Sequence, residues 1–232
     1  MRIIANETFI ERREKIANIV PLVAMGVLFG SLVVSFLRPD WFLLTLALAV
    51  VGFFLSIIGT YFVQRFTGQL AHHKEVPKAL KGFSDDYALL MYKVPGVPFV
   101  LVEPGGLTAI LVKNHGGEVV FQDGNWNHNQ RMKLVRQFGG EESLGRPDRQ
   151  VEDLAQLLED YANERLPKNV DVPVRGIALF INPEVELNAE DAPVPVIWVG
   201  KLKDWLRNEG RRPRLPAEDR EAIEEALDIA ES

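Results

Sequence analysis

The sequence predicts an α/β domain, a mixed sheet flanked by helices, preceded by a two-helix transmembrane hairpin. Three observations carry this: two long apolar runs near the N-terminus, a later series of strand-length runs, and an amphipathic helical pattern that separates the early strands from the late ones. The 232 residues have a mean hydropathy of 0.00, which averages two unlike parts. Between Ala17 and Val63 the only charged side chains are Arg38 and Asp40, whereas the rest of the chain is rich in charge.

The apolar runs cover residues 19–37 and 41–63, each close to or above the roughly 20 residues that cross a bilayer. Neither contains a charge, and backbone in lipid must satisfy its own hydrogen bonds, so both are expected as helices. Arg38-Pro39-Asp40 is the reversal between them. A buried pair of core helices would show a polar stripe, which neither run has. The first run begins too late for a signal peptide, and a second span follows it.

Arg2, Arg12, Arg13 and Lys15 precede the first span, and Arg65, Lys74, Lys78 and Lys81 follow the second, against Arg38 alone in the loop. The positive-inside bias places both termini in the cytoplasm and makes the chain a multi-pass protein of the cell membrane. The lipid bilayer is its first expected partner. Without ionisable groups in the spans, transport is not expected. Gly26 and Gly30 form a G-x-x-x-G that permits close helix approach, either in a dimer or against the second span.

The organisation read from these patterns is a cytoplasmic segment at 1–16, the hairpin at 17–63, a membrane-proximal helix at 64–83 kinked near Pro77, an α/β domain at 84–210 and a C-terminal helix at 211–232. Strands are expected at 87–94, 99–102, 107–112 and 118–121, with a hairpin turn at Pro104-Gly105-Gly106. Apolar positions 151, 154, 157, 158 and 161 have helical spacing, with a start at Pro147 or Asp148. Runs 174–181 and 194–199 have buried-strand length, while 202–206 and 217–229 look helical, the last behind Pro216. The stretch 127–145 is the least regular and is expected as a surface loop.

Beyond the pattern, particular residues bear a likeness. The run 97–114, with Pro98, Glu103, Pro104-Gly105-Gly106, Thr108, Leu111, Lys113 and Asn114, resembles the core hairpin of the nuclease-related domain (NERD) family. Gly117-Glu118-Val119 followed by Asp123-Gly124-Asn125-Trp126 is similar to that family's next strand pair, and Pro147 with Gln150 resembles its helix start. The likeness covers roughly residues 70–210.

The resemblance implies a core like that of restriction endonucleases. In such an active site an Asp on one strand and an acidic residue two before a Lys on the next strand hold Mg²⁺, while the Lys orients water. Carried over residue by residue, Lys113 matches the family lysine, but Pro98 and Leu111 occupy the acidic positions. No catalytic set, metal site or cofactor is therefore expected. Lys113 is left as a relic, a structural lysine or an anion contact. Glu103, Glu118, Asp85 and Asp86 are read as solvated surface charges, with the alternative that some of them rebuild a metal site.

No cysteines are present, which removes disulfides and thiol chemistry together. There is no phosphate-binding glycine loop, dinucleotide fingerprint or nucleophile elbow. His72, His73, His115 and His128 are expected at the surface, Trp126 over a sheet edge, and Arg207, Arg211, Arg212 and Arg214 in a solvated loop. A net charge of −6 disfavours nucleic acid as a partner without excluding a local basic patch. The reading that follows is a membrane-anchored, non-catalytic NERD-like binding or scaffolding module. The alternatives are an active tethered nuclease with relocated carboxylates and a subunit of a membrane complex that meets a membrane protein partner.

Overall fold

A computed structural model describes residues 1–68, 70–130 and 143–229. They fall into two units, one containing Glu7–Ala71 and the other built from Met1–Asn6, His72–Gln130 and Leu144–Ser232.

The first unit is the hairpin. Helix α1 (Glu7–Leu37) starts well before the first apolar run, a short 3-10 turn occupies Pro39–Trp41, and α2 (Phe42–Phe62) returns. Both helices are long and apolar enough to cross a membrane, and only 11% of the most apolar stretch of each is buried. A soluble core helix would bury most of that surface.

The contact between α1 and α2 repeats every seventh residue. Ile10, Ala17, Ala24 and Ser31 are the buried positions of α1, and Gly52 and Gly59 those of α2. A Cβ on Gly52 would lie 2.7 Å from the Leu28 side chain, and one on Gly59 would lie 3.0 Å from the Pro21 ring. Small residues let the backbones approach, and the period of seven keeps one seam facing the partner helix. Ser31 Oγ donates to the Thr45 carbonyl at 3.1 Å, which satisfies a hydroxyl in an apolar setting. Gly26 and Gly30 take no part in this seam, since a Cβ on either would meet nothing within 4 Å.

The segment after α2 departs from the single kinked helix expected at 64–83. It runs on as a π-helical turn, Val63–Thr67, leaves the helical conformation at Gly68, and the next helix, α3 (His72–Leu80), belongs to the other unit. Val76 and Leu80 on α3 are fully buried, in keeping with the apolar spacing in the sequence.

The second unit is an α/β domain with a mixed sheet. Its strands are β1 (Arg2–Ala5), β2 (Ala88–Val94), β3 (Val97–Glu103), β4 (Gly106–Lys113), β7 (Val174–Phe180) and β9 (Val196–Trp198), side by side in that order. Strands β2, β3 and β4 form an antiparallel meander, whereas β1 on β2, β7 on β4 and β9 on β7 are parallel. A smaller sheet places β5 (Gly117–Gln122) between β6 (Asn125–Asn129) and β8 (Val185–Asn188). Helices α4 (Pro147–Asn163), α5 (Leu202–Arg207) and α6 (Ala217–Ala226) complete the domain.

One face of the large sheet carries Leu90, Val100, Val102, Leu107 and Ala109, packed with Leu158 and Ala162 of α4 and Ile223 of α6. Side chains of the opposite parity, including Leu89, Leu101, Ile110, Ile177 and Leu179, are also fully buried, so both faces are covered. The first residues of the chain are part of this sheet and not a plain segment ahead of the hairpin. Ile3 lies beside Leu89 and Ile4 beside Leu90, with Ile4 buried. The two membrane-length helices are therefore inserted between two neighbouring strands of one sheet.

In the stretch expected as a loop at 127–145, residues 127–129 finish β6; residues 131–142 lie outside the described part of the chain. The C-terminal segment has a shorter helix than expected, ending at Ala226, and its Ile223, Leu227 and Ile229 enter the main core.

Candidate functional site

Lys113 ends β4 beside Phe180 of β7, its carbonyl accepting the Ile181 N–H at 2.9 Å. Leu111 is two residues earlier on the same face, beside Ala178. Extending the alternation of β3 from Val100, which lies beside Ala109, puts Pro98 on that face too. The three positions singled out in the sequence thus share one side of the sheet.

Around Leu111 that side is packed with hydrocarbon. Val119 of β5, Leu144, Val151 of α4, Ala178 and Phe180 form a buried cluster, with Leu111, Trp126, Val185 and Leu187 packed against it. Lys113 itself is only 2% exposed. A dication lodged among these side chains would lose its hydration shell and would face an ammonium besides. Among the described residues no group of three or more His, Asp or Glu side chains is placed to hold a metal. The small sheet is what closes this face, since β5 supplies Val119 and β8 supplies Leu187.

Trp126 behaves as expected and packs at the edge of the small sheet. Its ring lies 5.0 Å from that of Phe121, and its Nε1 donates to Asp148 at 2.9 Å. Asp148 also receives Arg146 at 2.9 Å. Burial pushes the Asp148 carboxyl up, but the Arg146 hydrogen bond, the Arg149 backbone N–H and the Trp126 indole together hold it below the usual carboxylate range.

Glu103 corrects the expectation of a solvated charge. It is 5% exposed, and its carboxylate accepts both Arg175 (2.9 and 3.0 Å) and Arg212 (3.2 Å), with the Thr108 hydroxyl as a further donor. Thr108 and Arg175 are register partners on β4 and β7, so the sheet itself sets the geometry. Arg175 stacks over Trp205 of α5 at 4.7 Å and donates to the Gly210 carbonyl at 2.7 Å.

One member of the basic cluster, Arg212, is corrected with it, while Arg207, Arg211 and Arg214 are exposed. Arg212 lies in the loop but is not a solvated charge: it donates to Glu103 and to the carbonyls of Pro173 (2.9 Å) and Leu107 (3.1 Å). Burial, reinforced by the neighbouring Arg175, pulls its guanidinium below the usual range even though Glu103 opposes this. Arg214 pairs with Asp86, and Arg207 lies over the Phe83 ring at 5.3 Å. The glycines of the β3–β4 turn allow the segment 211–215, a strap across the turn, to lie flat. A Cβ on Gly105 would sit 2.6 Å from the Pro213 carbonyl oxygen, and Gly106 holds φ at +131°.

The strap and the turn enclose a cleft of about 620 Å³, whose lining includes Tyr87, Glu103, Arg211, Arg212 and Arg214. A second groove, of about 990 Å³, lies along β9 and α5 between Val185 and Glu209 and is lined by Trp198 and Trp205. Two of the four histidines are buried against expectation: His72 on α3 and His115 after β4. The His115 and His128 rings meet at 5.3 Å, and His128 Nε2 lies 2.8 Å from the Gly116 carbonyl.

Glu103 was missed as a binding centre because its partners lie 72 and 109 positions away in the chain. Its one local signal was a carboxylate beside a P-G-G turn inside an apolar strand. Searches against protein-family models, curated proteins and solved structures find no match to the chain.

Proposed function

We propose that the chain is a membrane-anchored, non-catalytic binding or scaffolding module of NERD-like build, held on the cytoplasmic face by its hairpin. The observation that carries this reading is the apolar packing around Leu111 and Lys113, where the family's chemistry would need two carboxylates. An α/β domain with apolar side chains at the positions where that chemistry would sit favours recognition over catalysis.

The anchoring draws support from β1. Strands before and after the hairpin pair in one sheet, so both flanks must lie on the same side of any bilayer the hairpin crosses. The lysines and arginines at 2–15 and 65–81 then favour the cytoplasm as that side. The role of complex subunit keeps one specific point in its favour: Gly26 and Gly30 are left free by the intramolecular seam.

The experiment is a Mg²⁺- and Mn²⁺-dependent cleavage assay on DNA and RNA with the full chain in detergent. Background-level cleavage by the wild type is expected. Strong cleavage that disappears in Lys113→Ala would reverse the proposal in favour of a tethered nuclease.

A further inference from the structure

The cleft beside Glu103 has more positive charge than its own carboxylates neutralise. Asp86 and Glu103 line it, together with Arg211, Arg212 and Arg214. Glu103 is further held by Arg175, and Asp86 by Arg220. Two carboxylates thus share the lining with three guanidiniums, in a chain whose net charge is −6. An excess of this sign in a cleft raises the local concentration of anions.

Two groups in the cleft have donors to spare. Among the described residues Arg211 makes no ion pair, and the Tyr87 hydroxyl makes no hydrogen bond. Burial, followed by the nearby Glu103, raises the Tyr87 hydroxyl above its ordinary range. The walls are preorganised. Arg212 is fixed by Glu103 and two carbonyls, and the strap is pinned by the Leu215 N–H on the Pro104 carbonyl at 2.8 Å.

From this the geometry points to an anion site at Tyr87, Arg211 and Arg212 that takes a phosphate monoester, free or as a lipid headgroup. A guanidinium fork and a hydroxyl suit an anion with several terminal oxygens, and the charge excess suits a dianion more than a carboxylate. The site requires neither the family resemblance nor the membrane, so it stands or falls separately from the role proposed above.

The test titrates glycerol 3-phosphate by calorimetry into the full chain held in nanodiscs of phosphatidylcholine. Saturable binding is expected, weaker at high salt, and reduced roughly tenfold or more in Arg211→Gln and in Tyr87→Phe. Arg165→Gln, which alters an exposed arginine stacked on Tyr161 at the end of α4, should leave it unchanged. Competition by phosphatidic acid placed in the disc would identify a lipid headgroup as the source, and its absence a soluble ester. Lack of saturable binding by the wild type, unaltered affinity in Arg211→Gln, or equal affinity for acetate would overturn the assignment.

Discussion

Glu103 on β3 and Arg175 on β7 meet across the intervening strand β4, with Arg175 Nη2 at 2.9 and 3.0 Å from the two carboxylate oxygens. The pair is largely desolvated, since the side chains are 4% and 20% exposed, and Arg212 and Thr108 complete the carboxylate's shell. Removing one member of a buried ion pair leaves its partner uncompensated, which costs far more than a surface pair is worth. Glu103→Gln should therefore destabilise the domain by about 3–5 kcal/mol. Denaturant unfolding of the detergent-solubilised chain reads this directly, and a loss below about 1 kcal/mol would mark the pair as a surface interaction.

The apolar face around Lys113 makes a separate demand. Phe180 is fully buried there beside Val119 and Val151. Phe180→Ala should cost about 3–5 kcal/mol through lost burial and the cavity left behind. An unfolding midpoint that hardly moved would mean that the small sheet does not seal this face.

In the hairpin, Gly59 and Gly26 are expected to respond in opposite ways. Gly59→Val puts a branched side chain where the Pro21 ring already stands, whereas Gly26→Val enters open space. The first should lower stability in detergent by roughly 1–3 kcal/mol, and the second should leave the monomer's stability nearly unchanged. Equal effects would place the helix seam elsewhere.

Acid should weaken the contact between α4 and the small sheet through Asp148. Its folded pKa is depressed, so its contribution is present above the unfolded carboxylate range and is lost as pH falls through the lower, folded value. Asp148→Asn should flatten this acid limb of stability, followed by the fluorescence of Trp126, whose indole donates to the same carboxylate. An acid limb identical in wild type and variant would remove Asp148 from the account.

The absence of cysteine makes topology testable without background. With a membrane-impermeant maleimide, Asp40→Cys in the reversal should label on intact cells. Asp123→Cys, at the exposed β5–β6 turn, should label only after lysis. The reverse pattern would place the domain outside.

Much of the α/β domain was legible from alternation and turn chemistry. The β3–β4 turn announced itself through Pro104-Gly105-Gly106, and the helical spacing from Val151 to Tyr161 located α4. Strand β6 did not, because Asn125-Trp126-Asn127-His128-Asn129 is poor in β-branched residues and gains its order from pairing with β5. Strand β1 is four residues long, and its pairing partner lies beyond the whole hairpin, so no local pattern distinguishes it. Arg212 read as loop charge because its partners Glu103, Leu107 and Pro173 are far away in the chain, with no periodicity to reveal them. Lys113, Leu111 and Pro98 were singled out through the family resemblance, but the hydrocarbon beside them comes from β5, β8 and α4.

The central claim is that the Lys113 face is closed to a divalent cation. Titration of Mn²⁺ into the full chain, followed by the electron paramagnetic resonance of the free ion, tests it most directly. The account expects no tight site in the wild type and none created by Lys113→Met, which removes the ammonium. A single tight Mn²⁺ site that strengthens in Lys113→Met would contradict it, by showing that ligands do converge beside that residue.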